Sequence, residues 1–114
     1  MTVSLIATLT ARPETREELF RLLVEQVEPT RAEHGCIDYN LHVDARDPRV
    51  FVFYEKWKSQ ADLDAHMEMP HLKPLLSQID RLLAKPVDIW RLLPAEPASP
   101  QLTMMTTEGP ISQV

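Results

Sequence analysis

The chain contains three segments in which hydrophobic positions have the period of a β-strand. Apolar side chains fall on every second position between residues 3 and 10, which predicts a strand with one buried face. The same alternation over 37–43 predicts a second strand, and 50–57 forms a third run whose two faces are both largely apolar. A turn at 44–49, rich in turn-forming residues, joins these last two strands.

The segment between the first two strands has apolar residues at the spacing typical of a helix. Pro13 followed by acidic residues is typical of a first helical turn, where proline fits and carboxylates face the positive end of the helix dipole. Apolar residues then recur three and four positions apart, so we predict a helix from 14 to about 33. Pro29 is expected to kink or end this helix, and Gly35 to provide its left-handed stop.

The connection after the third strand predicts two further helices. Ser59, with Asp62 three positions later, is a capping-box pattern that opens a short helix to about Met67. A longer helix is predicted over 71–83, because six apolar side chains have an inward-facing spacing: Leu72, Leu75, Leu76, Ile79, Leu82 and Leu83.

An edge strand completes the predicted domain. Pro86 restricts 87–93 to an edge strand or to a strand that begins just after the proline, because proline cannot donate a hydrogen bond to a neighbouring strand. The order is then strand, helix, strand, strand, helix, strand, which is the ferredoxin-like split βαβ arrangement of an α+β protein. Both helical connections cover one face of a four-stranded antiparallel sheet, so its other face stays open.

This open face is more apolar than a soluble monomer normally exposes. It combines four apolar with four polar side chains: Ile6, Val50, Val52 and Tyr54 with Ser4, Thr8, Asn40 and His42. We therefore expect a homodimer in which two sheets pack face to face and bury on the order of 1,600 Å² or more in total.

The composition argues against several classes of function. The formal charge of -5 offers no basic field for nucleic acid, and no stretch is apolar enough for a membrane span. With only two glycines, neither a Walker loop nor a dinucleotide-binding loop can be written. The single cysteine, Cys36, excludes an internal disulfide, and the first ten residues lack a signal-peptide pattern, so we expect a cytoplasmic protein.

The 114 residues divide into one folded domain and an extension. Residues 1–93 form a domain too short to hold separate cofactor and catalytic parts. Residues 94–114 are rich in proline and cannot build their own core. We expect this extension to lie against its own or a neighbouring subunit, with a weak strand pattern at 102–107.

The third strand carries an acid within an aromatic row. Glu55 alternates with Phe51, Phe53 and Trp57 on the side assigned to the helices. Two interpretations are open. Either Trp57 is ordinary core and Glu55 pairs with a Lys or Arg, or the row lines a flat apolar pocket. In the pocket, burial would raise the pKa of the carboxyl and suit it to act as a general base.

His66 and His71 are the other candidates for chemistry. They lie five positions apart across a helix break, with Glu68 as the one nearby acid and no cysteine partner. That spacing does not match a zinc-binding helix, so we assign no metal and no other cofactor. His71 either caps backbone groups at the break or reaches the mouth of the pocket.

Four motifs follow one another along residues 1–93: Ala-Arg-Pro-Glu at 11–14, Glu33-His34-Gly35-Cys36-x-x-Tyr39, Tyr54-Glu55-x-Trp57-x-Ser59 and Leu63-x-x-His66-x-x-x-Pro70-His71. In this order and at these distances they resemble the antibiotic biosynthesis monooxygenase (ABM) family, and within it the quinol monooxygenases. The resemblance implies a dimeric α+β barrel, in which two ferredoxin-like sheets face each other.

The resemblance also implies a type of chemistry. Family members that oxidise polyketides insert oxygen into phenolic rings without flavin, haem or metal, because the phenolate itself passes an electron to dioxygen in a dry pocket. By position, the resemblance assigns Trp57 to the pocket. It places Glu55, His66 and His71 at motif positions whose catalytic roles stay open.

The sequence lacks two residues that particular branches of the family use for their chemistry. An asparagine that oxygenating relatives carry before the tryptophan has no counterpart, since Phe53 and Tyr54 stand there. The haem-degrading branch needs an axial histidine on the late helix, where this sequence has Leu75 and Leu76. Haem cleavage is therefore disfavoured.

The sequence predicts a cofactor-independent monooxygenase that oxidises a small hydroquinone or phenol with dioxygen. We assign catalysis to Glu55, His71 and His66, and substrate binding to Trp57, Phe51, Phe53 and Tyr39. Two alternatives stay open. One is an isomerase of a small phosphorylated oxo compound of the autoinducer-2 processing type, which the His-x-x-x-Pro-His run resembles. The other is a non-catalytic stress-response dimer that binds aromatic ligands.

Overall fold

The structure is a computed structural model that describes residues 1–95. This part of the chain contains the following strands and α-helices: β1 (Val3–Thr10), α1 (Arg16–Arg31), β2 (Cys36–Val43), β3 (Val50–Trp57), α2 (Gln60–Met67), α3 (Lys73–Leu76), α4 (Ile79–Leu82) and β4 (Asp88–Leu92). None of these helices has the length and apolar character needed to cross a membrane. The strand and the contact predicted for the extension lie outside the described residues.

The four strands form one antiparallel sheet in the order β2-β3-β1-β4. Strand β1 lies at the centre, where it pairs with β3 from Val3 opposite Trp57 to Thr10 opposite Val50. This order confirms the predicted ferredoxin-like α+β fold. It also places β4 at an edge of the sheet, as Pro86 indicated.

One face of the sheet forms the core. Burial alternates strictly along β1 and β3, so every second side chain of each strand is buried beneath the helices. Helix α1 adds leucines from its buried face, and the core cluster includes Leu5, Leu9, Leu19, Leu23, Phe51, Phe53 and Trp57. Each such side chain contributes about 1.5–3 kcal/mol when it is fully removed from water.

Helix α1 differs slightly from the prediction at both ends. Residues Pro13–Thr15 form a 3-10 turn, so the α-helix begins at Arg16. Pro29 does not end the helix, which continues to Arg31. Pro29 is exposed, and its lack of an N–H removes one hydrogen bond from the helix. The last turn still closes, because the backbone N–H of Ala32 donates to the carbonyl oxygen of Glu28.

Gly35 and Ser59 both contact the first turn of α2 and determine where this helix begins. Gly35 has φ of 86°, as predicted for a left-handed stop, and a Cβ atom at this position would overlap the carboxyl group of Asp62. Ser59 Oγ accepts a hydrogen bond from the Asp62 backbone N–H at 3.1 Å and donates to Asp62 Oδ2 at 2.8 Å. The predicted helix cap is therefore present.

The prediction of one helix over 71–83 is wrong. The segment contains two short helices, α3 and α4, separated at Ser77 and Gln78. The cause is competition for the carbonyl oxygen of Pro74, which accepts from Ser77 Oγ and from Gln78 Nε2, both at 3.0 Å. The backbone N–H of Gln78 donates instead to Leu75, three residues back. Leu76 borders the cavity between the sheet and the helices, and it is 39% exposed.

The opposite face of the sheet is covered by no helix in the described part of the chain. A row of paired residues crosses it: Asn40, Tyr54, Ile6 and Trp90. Trp90, on β4, is 64% exposed in the single chain. The hydrophobic pattern alone does not place Trp90 on this face, because it does not fix the register between β1 and β4.

Candidate active site

A cavity of about 390 Å³ lies between the sheet and helices α2, α3 and α4. Its walls are mostly apolar side chains, including Leu5, Leu9, Leu63, Leu72, Leu75 and Ile79. The volume falls in the range of small-molecule sites, about 300–1,000 Å³. Six side chains with polar groups also border it: Tyr39, Glu55, Gln60, Asp64, His66 and Arg91.

Two acids border this cavity, and Glu55 is the buried one, whereas Asp64 is exposed. Its side chain is on β3 and the residue is only 7% exposed. Burial raises the pKa of the Glu55 carboxyl above its ordinary value, although the hydrogen bond from Trp57, and His66 whenever its ring is protonated, act in the opposite direction. No Lys or Arg within residues 1–95 forms an ion pair with Glu55. The pocket interpretation of this carboxyl is therefore favoured over the ion-pair interpretation.

Trp57 holds Glu55 rather than forming the cavity wall itself. The indole Nε1 of Trp57 donates to Glu55 Oε1 at 3.0 Å, and the Trp57 side chain is fully buried. The Trp57 ring also packs against the ring of His66, with 4.8 Å between centroids. The hydrogen bond from Trp57 thus holds Oε1 of Glu55, and Oε2 is left to contact a ligand.

Tyr39 and Phe53 supply a flat aromatic wall. Their rings stack with 4.6 Å between centroids, and both border the cavity. Burial, followed by the nearby charge of Glu55, raises the pKa of Tyr39, so its phenol stays neutral at physiological pH. Phe51 is displaced from this wall, because it stacks on Phe20 at 5.8 Å near the other end of β3.

Glu33 brings His66 and His71 together. Glu33 follows α1, His66 lies on α2, and His71 lies between α2 and α3. The carboxyl oxygen Oε2 of Glu33 is 2.8 Å from His66 Nδ1 and 2.7 Å from His71 Nε2. His66 borders the cavity, whereas His71 is not part of its lining.

Gln26 determines which nitrogen of His71 carries a proton. Gln26 Nε2 donates to the backbone carbonyl of His71 at 2.9 Å, which orients the amide and turns its oxygen towards His71 Nδ1, 2.7 Å away. An amide oxygen only accepts, so Nδ1 is protonated. The contact between His71 Nε2 and Glu33 Oε2 then needs a second proton, held either on the imidazole or on the carboxyl group.

The same reasoning assigns His66. When Nδ1 of His66 donates to Glu33, the neutral ring keeps its lone pair on Nε2. This arrangement of a carboxylate behind a histidine orients the ring and leaves the second nitrogen as a proton acceptor. Glu55 and His66 are therefore two groups able to handle protons on the border of one apolar cavity.

Sequence reasoning missed Glu33 and Gln26 as members of this site. Glu33 is 33 positions from His66, and only the turn at Gly35 and the cap of α2 bring the two together. Gln26 did carry a signal, because it is a polar residue on the buried face of α1, between Leu23 and Thr30. Glu68, the acid considered near the histidines, is exposed at the end of α2.

The fold and the cavity together define a small ferredoxin-like α+β protein with a buried acid in an apolar pocket. A sequence model of the family described as "Antibiotic biosynthesis monooxygenase" matches residues 2–75. The chain belongs to this family, which confirms the resemblance seen in its motifs.

Individual relatives agree with this assignment. The chain is 38% identical over 97 residues to "Putative monooxygenase Rv0793" of Mycobacterium tuberculosis, covering 85% of this chain and 95% of that protein. The solved structure of Rv0793 matches with a TM-score of 0.79 over 87% of this chain and 100% of its own. The solved structure of PA3566 from Pseudomonas aeruginosa also gives 0.79 at 37% identity, covering 83% and 95%.

A further relative is longer than this chain. The uncharacterised protein sll1783 of Synechocystis is 36% identical over 78 residues, which is 68% of this chain. The chain spans about half of that relative, 53% of its length. Family membership and the names of relatives support a monooxygenase-type function.

Proposed function

We propose that this chain is a cofactor-independent monooxygenase that oxidises a small hydroquinone or phenol with dioxygen. The observation that carries the proposal is Glu55, a buried carboxyl with a raised pKa on the border of an apolar cavity of about 390 Å³. A compound with one or two rings suits that volume. Membership of the ABM family supports oxygen chemistry in this cavity.

In this proposal Glu55 accepts the phenolic proton and leaves an electron-rich phenolate in an apolar setting. The phenolate passes one electron to dioxygen, and the two radicals combine through a new bond between oxygen and a ring carbon. Loss of the proton on that carbon and cleavage of the O–O bond leave a ring carbonyl and release water. The substrate supplies four electrons in total, so one oxygen atom enters the product and the other becomes water.

The remaining side chains support these proton transfers. His66 Nε2 is the second proton-handling group, because Nδ1 is occupied by Glu33. Tyr39 and Phe53 offer a flat surface on which an aromatic ring stacks. We assign His71 a positioning role, because it contacts Glu33 rather than the cavity.

The test is oxygen uptake by protein freed of metal and flavin, measured over a panel of hydroquinones and phenols. The proposal predicts one dioxygen consumed per substrate and no accumulation of hydrogen peroxide. Uptake no faster than the spontaneous rate across the whole panel contradicts it. Saturable binding of aromatic compounds without turnover would support the non-catalytic alternative instead.

One observation favours isomerisation of a small phosphorylated oxo compound as a second candidate. Arg91 of β4 borders the cavity, and its side chain forms no hydrogen bond or ion pair within residues 1–95. A free guanidinium at this border suits a phosphate group, and Glu55 would serve as the enolising base. An isomerase converts its substrate without oxygen, so anaerobic turnover separates the two candidates.

We also propose that two chains pair through the open face of the sheet. Trp90 and Tyr54 flank Ile6 in one row across this face, and Trp90 is 64% exposed in the single chain. Large aromatic side chains on an uncovered sheet face are typical of a protein interface. Pairing of this kind leaves both cavities on the outer sides of the dimer.

A further inference from the structure

We propose that Glu33, His66 and His71 form a binding site for one divalent transition-metal ion of the kind that prefers imidazole ligands. This site shares His66 with the proposed oxidation, although the oxidation itself needs no metal. It follows from the geometry of the three side chains, from the contacts of Gln26 behind them, and from an unsatisfied oxygen of Glu33.

The donor atoms already converge. His66 Nδ1 and His71 Nε2 lie 2.8 and 2.7 Å from Glu33 Oε2, and the potential ligand atoms of the three residues are all within 4.8 Å of one another. Two imidazoles and one carboxylate are a common set for zinc, cobalt and iron ions. Metal–nitrogen bonds of about 2.0–2.1 Å place such donors about 3.3 Å apart, so only small side-chain movements are needed.

Gln26 contacts His71 in the way that a hydrogen-bond partner of a metal-binding histidine usually does. Histidines that bind metals usually donate their other ring N–H to an oxygen, which fixes the ring and its tautomer. Gln26 Oε1 accepts from His71 Nδ1 in this way, and Gln26 is itself held by the His71 backbone carbonyl. His71 Nε2 is thereby kept as the nitrogen that meets Glu33 or a metal.

Glu33 provides an independent indication of a missing partner. Its side chain is 5% exposed, and its second oxygen, Oε1, is buried without a hydrogen-bond partner among the described residues. A buried carboxylate oxygen normally has a donor or a cation beside it. A metal ion bound by Glu33 would supply that cation.

The ion would replace the proton that now lies between Glu33 and His71. This proton would be released, and the Nδ1 proton of His66 would move to Nε2, so that His66 Nδ1, His71 Nε2 and the carboxylate each contribute a metal bond. Entry is possible from the side of His71, whose side chain is 22% exposed, whereas those of His66 and Glu33 are 4% and 5% exposed.

The experiment titrates full-length, metal-stripped protein with Co²⁺ and follows visible absorption, while equilibrium dialysis measures Zn²⁺ binding. We expect one equivalent of either ion per chain. Glu33→Gln and His71→Asn preserve most of the side-chain volume, and each is expected to weaken binding by 100-fold or more. Gln26→Leu removes only the outer-shell contact and is expected to weaken binding by about 10-fold to 100-fold.

His34→Ala is the matched control. His34 is also a histidine near an acid, with Nε2 3.9 Å from Asp62 Oδ1, but its side chain is 89% exposed. The proposal predicts unchanged affinity in this variant. Absence of one-to-one binding in the wild type, or equal affinity in wild type and Glu33→Gln, overturns the proposal. Far-UV circular dichroism checks the fold of each variant, and a Zn²⁺-dependent rise in the wild-type Tm gives a second readout that needs no variant.

Discussion

Replacing Glu55 separates a chemical role for its carboxyl from a structural one. Glu55→Gln keeps an oxygen that accepts from Trp57 Nε1 but cannot take up a proton, whereas Glu55→Ala removes both properties. A positioned general base contributes about 10²–10⁴-fold to a rate. We therefore expect oxygen uptake by Glu55→Gln to fall at least about 100-fold while aromatic ligands still bind.

The two substitutions also differ in stability, and the structure gives the size of the difference. The indole N–H of Trp57 is fully buried and has Glu55 as its partner, so leaving it unpaired costs about 1–3 kcal/mol. A loss of 1 kcal/mol lowers the Tm of a domain of this size by roughly 4–8 °C. Glu55→Ala should thus melt roughly 4–24 °C below wild type, whereas Glu55→Gln stays within a few degrees.

The pH dependence of this difference has a defined sign. Because burial raises the pKa of Glu55 in the folded protein, its carboxyl stabilises the fold fully below the ordinary value of 4.5. That contribution is lost as the pH rises through the raised pKa of the folded state. Glutamine does not titrate, so Glu55→Gln should gain stability relative to wild type as the pH increases through this window.

The assays are oxygen uptake, ligand binding and thermal unfolding at several pH values, with Glu68→Gln as a surface control that removes an exposed acid. Wild-type turnover in Glu55→Gln refutes the assignment of Glu55 as the base. Unfolding of Glu55→Gln shows instead that the carboxylate is structural. Parallel stability profiles for the two proteins across pH contradict the raised pKa.

Three further predictions concern the scaffold. Gly35→Ala places a Cβ atom against the Asp62 carboxyl, at a residue whose φ is positive. We expect urea unfolding to show a loss of stability of about 1–3 kcal/mol. An unchanged unfolding midpoint would show that the turn does not need glycine. Ser59→Ala removes the cap of α2 and should cost about 1 kcal/mol by the same measurement, and no change would mean that the cap contributes nothing. Trp90→Lys places a charge in the proposed interface, so sedimentation should show a wild-type dimer and a monomeric variant; a wild-type monomer rules the pairing out.

Alternation and capping were sufficient to predict most of the fold. The bounds of β1 and β3 were predicted residue by residue. The buried face of β1 sets a period of two, whereas β3, apolar on both faces, is bounded by the turn at 44–49 and by the cap at Ser59. The late helix was mispredicted because its break depends on which groups reach the Pro74 carbonyl. Apolar spacing carries no information about that competition.

Strand alternation predicted the residues that the sheet contributes to the site, but not the contacts made by its loops. Glu55 and Tyr39 belong to strands whose inward faces are fixed by alternation, so their approach to one cavity follows from the fold. The contact of Glu33 with His66 and His71 depends on loop geometry after α1 and after α2. Pairs separated by 33 and 38 positions cannot be matched by local pattern alone.

The most direct measurement of the proposed chemistry uses isotopically labelled dioxygen. Metal- and flavin-free protein is incubated with a hydroquinone under ¹⁸O₂, and the product is examined by mass spectrometry. Incorporation of one labelled atom per product, absent in Glu55→Gln and in anaerobic samples, is the predicted result. A product without label, or one formed equally well without oxygen, would contradict a monooxygenase.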